Sequence, residues 1–210
     1  MKQAFPILPN RSKDIPLNAP TADAPISLVH SYYPPGIDHD DPRYESSVEG
    51  QRLTRLIAAN VGGTQQWNGF IQGLNPAFPD CFIWDSTVPW HEPCFVCRVS
   101  LPGFVSGKPR YDSLVCLLSQ LTPVYALYAS HLEERGPGLE RDHWTRFPPL
   151  PLEFQEHEKK LSVLIESALG ATRVPNDVLS IPLPDRVPRT GHCQLGEAKL
   201  IDCLFTPYRM

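Results

Sequence analysis

The sequence predicts an α+β fold, with a central antiparallel sheet of about five to six strands, two main helices and a proline-rich N-terminal arm. Three observations carry that prediction. The chain has 210 residues, 41% hydrophobic and 20% charged, which is enough apolar content for one sizeable core and argues against wholesale disorder. Apolar runs of strand length are grouped in the middle of the chain, between residues 81 and 132. Helically spaced apolar residues flank that group without alternating with it, as a doubly wound parallel sheet would require.

Pro6, Pro9, Pro16, Pro20 and Pro25 interrupt any helical or strand period in residues 1–25, which read as an extended arm, with residues 26–210 as a single domain. Residues 26–33 are β-branched and aromatic and end at Pro34-Pro35-Gly36, which suits a first strand. A loop with Asp38, Asp40 and Asp41 follows. Ser46-Ser47-Val48-Glu49 has the pattern of a capping box, and Leu53, Leu56, Ile57 and Val61 give the next helix one apolar face before Gly62-Gly63 stops it. Trp67, Phe70, Ile71 and Leu74 repeat the spacing up to Pro76, weakened by Gly69 and Gly73.

Residues 81–84, 94–101, 114–121 and 124–132 are apolar runs divided by Pro, Gly and Asp, the pattern of an antiparallel meander. For the third run strand is the preferred reading, and periodicity alone leaves open a helix capped by Asp112. Residues 133–151 read as a charged, then proline-rich loop pinned by Trp144 and Phe147. Pro151 opens the clearest helix, in which Phe154, Leu161, Leu164, Ile165 and Ala168 share a face and Gly170 closes the C-terminus. Residues 178–181 form a further apolar run, and residues 198–205 read as a late strand returning to the sheet.

A formal charge of −4 and a pI near 6.0 argue against direct nucleic-acid binding, which needs a basic surface to displace counterions. No apolar run approaches a membrane span, and Pro6 and Pro9 break any signal-peptide core, so a cytoplasmic location is expected. There the six cysteines stay reduced, and Cys116 and Cys203 read as small core residues. No nucleophile elbow, phosphate-binding loop or dinucleotide fingerprint occurs.

Three clusters are candidate sites. Cys94-Phe95-Val96-Cys97 has the spacing of a zinc half-site or a redox pair. Its strand-like setting would send residues three apart to opposite faces, and His192-Cys193 is a poor second half. Asp38-His39-Asp40-Asp41 mixes oxygen ligands with an imidazole, but between Pro34-Pro35-Gly36 and Pro42 the preferred reading is a solvated acidic turn. The segment from Trp84 to Glu92 places Trp84 and Trp90 among Asp85 and Glu92. Tryptophans anchor interfaces and carboxylates select basic partners; the alternative reading is that both indoles cap the sheet core.

Arg110-Tyr111-Asp112-Ser113-Leu114, Val124-Tyr125-Ala126-Leu127-Tyr128, Trp144-Thr145-Arg146-Phe147-Pro148-Pro149-Leu150-Pro151 and the segment from Gly196 to Thr206 carry a resemblance. Over residues 80–206 the chain resembles small bacterial immunity proteins that neutralise a polymorphic toxin encoded beside them. The resemblance implies a non-enzymatic cytoplasmic protein, needing no cofactor, that covers the active site of a basic cognate toxin. Trp84, Asp85, Trp90 and Glu92 are the expected contact residues, with Asp38, Asp40 and Asp41 as a second acidic patch. Two other readings stand beside it. One is a hydrolase using Cys94 or Cys97 with His91, or a metal at Asp40 and His39. The other is a structural or phage-associated interaction protein.

Overall fold

The computed structural model of the chain describes residues 23–88, 90, 92–101, 110–134, 141–189 and 193–205. Strands β1 (Phe82–Asp85), β2 (Cys94–Ser100), β3 (Arg110–Ser119), β4 (Val124–Glu134) and β5 (Arg141–Arg146) pair in that order, each antiparallel to the next. A short β6 (Thr172–Arg173) runs parallel to β4 through Val124 and Tyr125. It takes the edge of β4 that β5 occupies farther along, from Ala129 to Glu134. The α+β prediction and its meander are therefore what the chain adopts, and the run after Asp112 is a strand.

Helices cover both faces. On one lie α1 (Asp23–His30), α2 (Pro42–Ser46), α3 (Val48–Ala59), α6 (Asn176–Leu179) and α7 (Leu200–Leu204); on the other lie α4 (Gln65–Ala77) and α5 (Leu152–Leu169). The strands feed both layers by alternation. Cys94 and Val96 of β2, Val115 and Leu117 of β3, and Val124, Ala126 and Tyr128 of β4 join the first core. Phe95, Cys97, Val99, Leu114, Cys116, Leu118, Tyr125, Leu127 and Ala129 join the second. Because neither face of the central strands meets water, they read as unbroken apolar runs rather than as polar–apolar alternation.

The longer helices begin and end where local chemistry favours it. Ser47 caps α3 by accepting from the Gly50 amide at 2.9 Å, one residue later than the predicted box. Thr64 caps α4 by accepting from the Trp67 amide at 3.1 Å, and Trp67, Phe70 and Leu74 then face the core. Gly170 ends α5 with φ 62°, a conformation glycine adopts without a Cβ penalty.

Three predicted segments differ. Residues 26–33 are not a first strand but the end of α1 and a turn, with Asp23 and His30 placed to complement the helix dipole. Residues 178–181 fall at the end of α6 and the turn after it. Residues 198–205 hold α7, whose five residues are all buried, and contribute only a bridge between Pro182 and Lys199. The expected loop over 133–151 contains the polar edge strand β5. The proline-rich arm lies outside the described residues up to residue 22, and residues 23–25 are helical. No helix among the described residues is long and apolar enough to cross a membrane.

Candidate functional site

The predicted tryptophan segment sits at one edge of the sheet as described, because among the described strands β1 pairs only with β2. Beyond β1 the ladder continues: the Ser86 amide donates to Val96 O at 2.8 Å, and the Val96 amide donates to Thr87 Oγ1 at 2.9 Å. Register then decides direction. Trp84 stands opposite Arg98 and Phe82 opposite Ser100, on the face that carries Cys94 and Val96. Ile83 and Asp85 stand on the other face, against α4.

Trp84 is 56% exposed and Trp90 57%, so neither indole caps the core. Four of the eight exposed large apolar side chains among the described residues, Phe82, Trp84, Val88 and Trp90, lie between residues 82 and 90. Trp90 also has φ 75°, a left-handed conformation uncommon for a bulky residue. Such an outlier costs of order 1–3 kcal/mol and is found most often at functional sites.

The carboxylates expected around the tryptophans are placed differently. Asp85 accepts the indole N–H of Trp67 at 2.9 Å through Oδ2 and the Thr87 amide at 3.1 Å through Oδ1. Trp67 is 1% exposed and stacks on Phe95 at 5.0 Å, so Asp85 ties the segment to the second core. Glu92 is buried, 4.0 Å from the Cys94 sulfur. The cross-strand neighbour of Trp84 is a cation, Arg98, so the exposed patch is aromatic rather than acidic.

In the second acidic patch, the His39 ring N–H and backbone N–H both donate to Asp38 at 2.7 Å. Asp41 caps α2, accepting from the Arg43 amide at 2.8 Å and its guanidinium at 2.6 Å, and those hydrogen bonds lower its carboxyl to about 2. Asp40 is exposed. This loop behaves as the solvated turn that the sequence also allowed, with Asp38 and Asp41 engaged locally.

The cysteine alternative loses its physical basis. Cys94 and Cys97 face opposite cores, as their strand spacing predicts, and both are fully buried, as are Cys116 and Cys203. Burial pushes the Cys94, Cys116 and Cys203 thiols upward, whereas a nucleophile needs an accessible, electropositive setting that lowers it. His91 and His192 lie outside the described residues.

At the opposite edge of the sheet is a cluster that sequence reasoning missed. Register sets Asp112 of β3 opposite His131 of β4, His131 opposite Trp144 of β5, and Glu133 opposite Asp142. The His131 ring N–H donates to Asp112 at 2.6 Å, and its plane stacks on Trp144 with centroids 5.3 Å apart. One ring nitrogen of His131 and one carboxylate oxygen each of Glu133 and Asp142 lie within 4.8 Å of one another. The alternation His131-x-Glu133 against Asp142-x-Trp144 is visible in the sequence, but only once residues 141–146 are read as a strand.

Compared with known proteins, the chain matches no family model, no curated protein and no solved structure.

Proposed function

We propose that the protein is a binding module of the immunity type, which neutralises a cognate bacterial toxin in the cytoplasm by covering its active site. The observation that carries the reading is the exposure of Phe82 and Trp84 on β1 and of Val88 and Trp90 just beyond it, with β1 tied to the core through Asp85 and Trp67. Large aromatics held by a rigid frame lose little freedom on docking, and such residues supply most of the energy in protein interfaces. Asp40 and its neighbours give a basic toxin long-range attraction, which acts on encounter rate more than on residence.

The test is capture by the tagged chain from its native cells, run beside a Trp84→Ala/Trp90→Ala variant. The wild-type chain retains one basic protein in stoichiometric amount through a salt wash, and purified chain abolishes that protein's toxic activity. The variant folds normally and loses the partner by at least tenfold in affinity. If the variant retains the partner unchanged, or if binding leaves the partner's activity intact, the immunity reading fails.

A further inference from the structure

We propose that His131, Glu133 and Asp142 form a binding site for one divalent transition-metal ion, zinc being the best fit, at the β4–β5 edge of the sheet. This edge is the far side of the sheet from β1, and the inference stands independently of the binding-module reading.

The backbone converges the three ligands. His131 and Glu133 are two residues apart on β4 and project from one face, and Asp142 is the register partner of Glu133. Their candidate ligand atoms already lie within 4.8 Å of one another. Zinc at about 2.1 Å from each ligand needs them about 3.4 Å apart, and rotation of the half-buried Glu133 and exposed Asp142 side chains supplies the difference.

The imidazole is prepared for metal in a way the carboxylates are not. Its side chain is only 8% exposed, its face is fixed on Trp144, and Asp112 holds the Nδ1 proton. A carboxylate can only accept, so with Nδ1 donating to Asp112 it is Nε2 that is left to bind a metal. A histidine whose second nitrogen donates to a carboxylate is the usual support of a metal-bound imidazole, fixing its tautomer and raising its basicity. Asp112 is thus a positioning residue and the other three are ligands.

The charge arrangement gives a cation something to do. An ion between the opposed Glu133 and Asp142 carboxylates takes an oxygen from each strand and the imidazole lone pair in the same step. With only three side-chain ligands, the site suits zinc with water in the fourth position. Calcium, with roughly six to eight oxygen ligands, fits poorly.

The experiment is a calorimetric titration of the chelator-stripped full chain with zinc chloride, paired with visible absorption after cobalt(II) loading. One zinc binds per chain, and cobalt gives the spectrum of a nitrogen–oxygen site. Glu133→Gln and Asp142→Asn each weaken zinc at least tenfold while circular dichroism is unchanged. Asp112→Asn, which touches no metal, weakens it about 10–100-fold. The proposal is overturned by the absence of saturable zinc binding, or by equal affinity in the two carboxylate variants. A thiolate-to-cobalt charge-transfer band would also overturn it, because it would move the metal to the half-exposed Cys81 or Cys193.

Discussion

Two tryptophans with the same sequence character have opposite fates here. Trp67 is closed inside the second core and still needs an acceptor for its indole N–H, which Asp85 provides at 2.9 Å. Trp84, on the other face of the same strand edge, has more than half its surface in water. Asp85→Ala leaves the buried indole N–H without its acceptor, at a cost of about 1–3 kcal/mol. Asp85→Asn keeps an acceptor oxygen and should cost less than half as much. Urea denaturation of the two variants checks this, and equal losses would mean that charge, rather than the indole hydrogen bond, is what Asp85 contributes. The same pair explains why the site was only partly legible. Aromatic content marked the right segment, but which face each residue takes depends on register with β2, and register is a property of the fold.

Among elements, legibility followed length and the presence of a wet face. α5 and α3 were readable because each shows water one side and the core the other, with a serine cap or a glycine stop at its ends. α1 and α7 were not. Each is short, and α7 is buried all round, so no polar side remained to reveal a helical period. β5 was missed for the converse reason, since an edge strand of Arg, Asp, His and Thr around one Trp looks like a loop until its partner is known. The junction of α2 and α3 is the tightest place in the helical layer. A Cβ on Gly50 would run into the backbone carbonyl oxygen of Tyr44, which no side-chain rotation relieves. Gly50→Ala should therefore destabilise by about 2 kcal/mol or more, although alanine is ordinarily the better helix former by about 1 kcal/mol. Gly170→Ala meets no neighbouring atom and pays only for its left-handed backbone, about 1 kcal/mol. Thermal melts of the two variants should rank Gly50→Ala as the more damaging.

At the scale of the whole molecule, covering both faces of one sheet closes away groups that water would otherwise let ionise. Burial raises the Cys94, Cys116 and Cys203 thiols and the Tyr33 and Tyr44 phenols well above their ordinary values. Both phenols also donate to backbone carbonyls, Tyr33 to Cys203 O at 2.7 Å and Tyr44 to Val187 O at 2.9 Å, which favours the protonated form. In the unfolded chain thiols lose their protons near about 8.5 and phenols near about 10. Between those values and the raised folded ones, the unfolded state binds fewer protons than the folded state, so stability must fall as pH rises. Below about pH 8 the contribution is fully present. Each thiol adds a slope approaching about 1.4 kcal/mol per pH unit once the unfolded form is ionised, so three together remove about 4 kcal/mol between pH 9 and 10. That is a large part of the roughly 5–15 kcal/mol that holds a domain folded. Urea midpoints measured from pH 7 to 10 should therefore be flat up to about pH 8 and then drop steeply. Cys116→Ala should shallow that drop even though it lowers stability at pH 7, because it removes a titrating group along with a packed side chain. A midpoint independent of pH up to 10 would mean that these thiols ionise as readily in the fold as in water, and that the two-sided enclosure of the sheet does not hold.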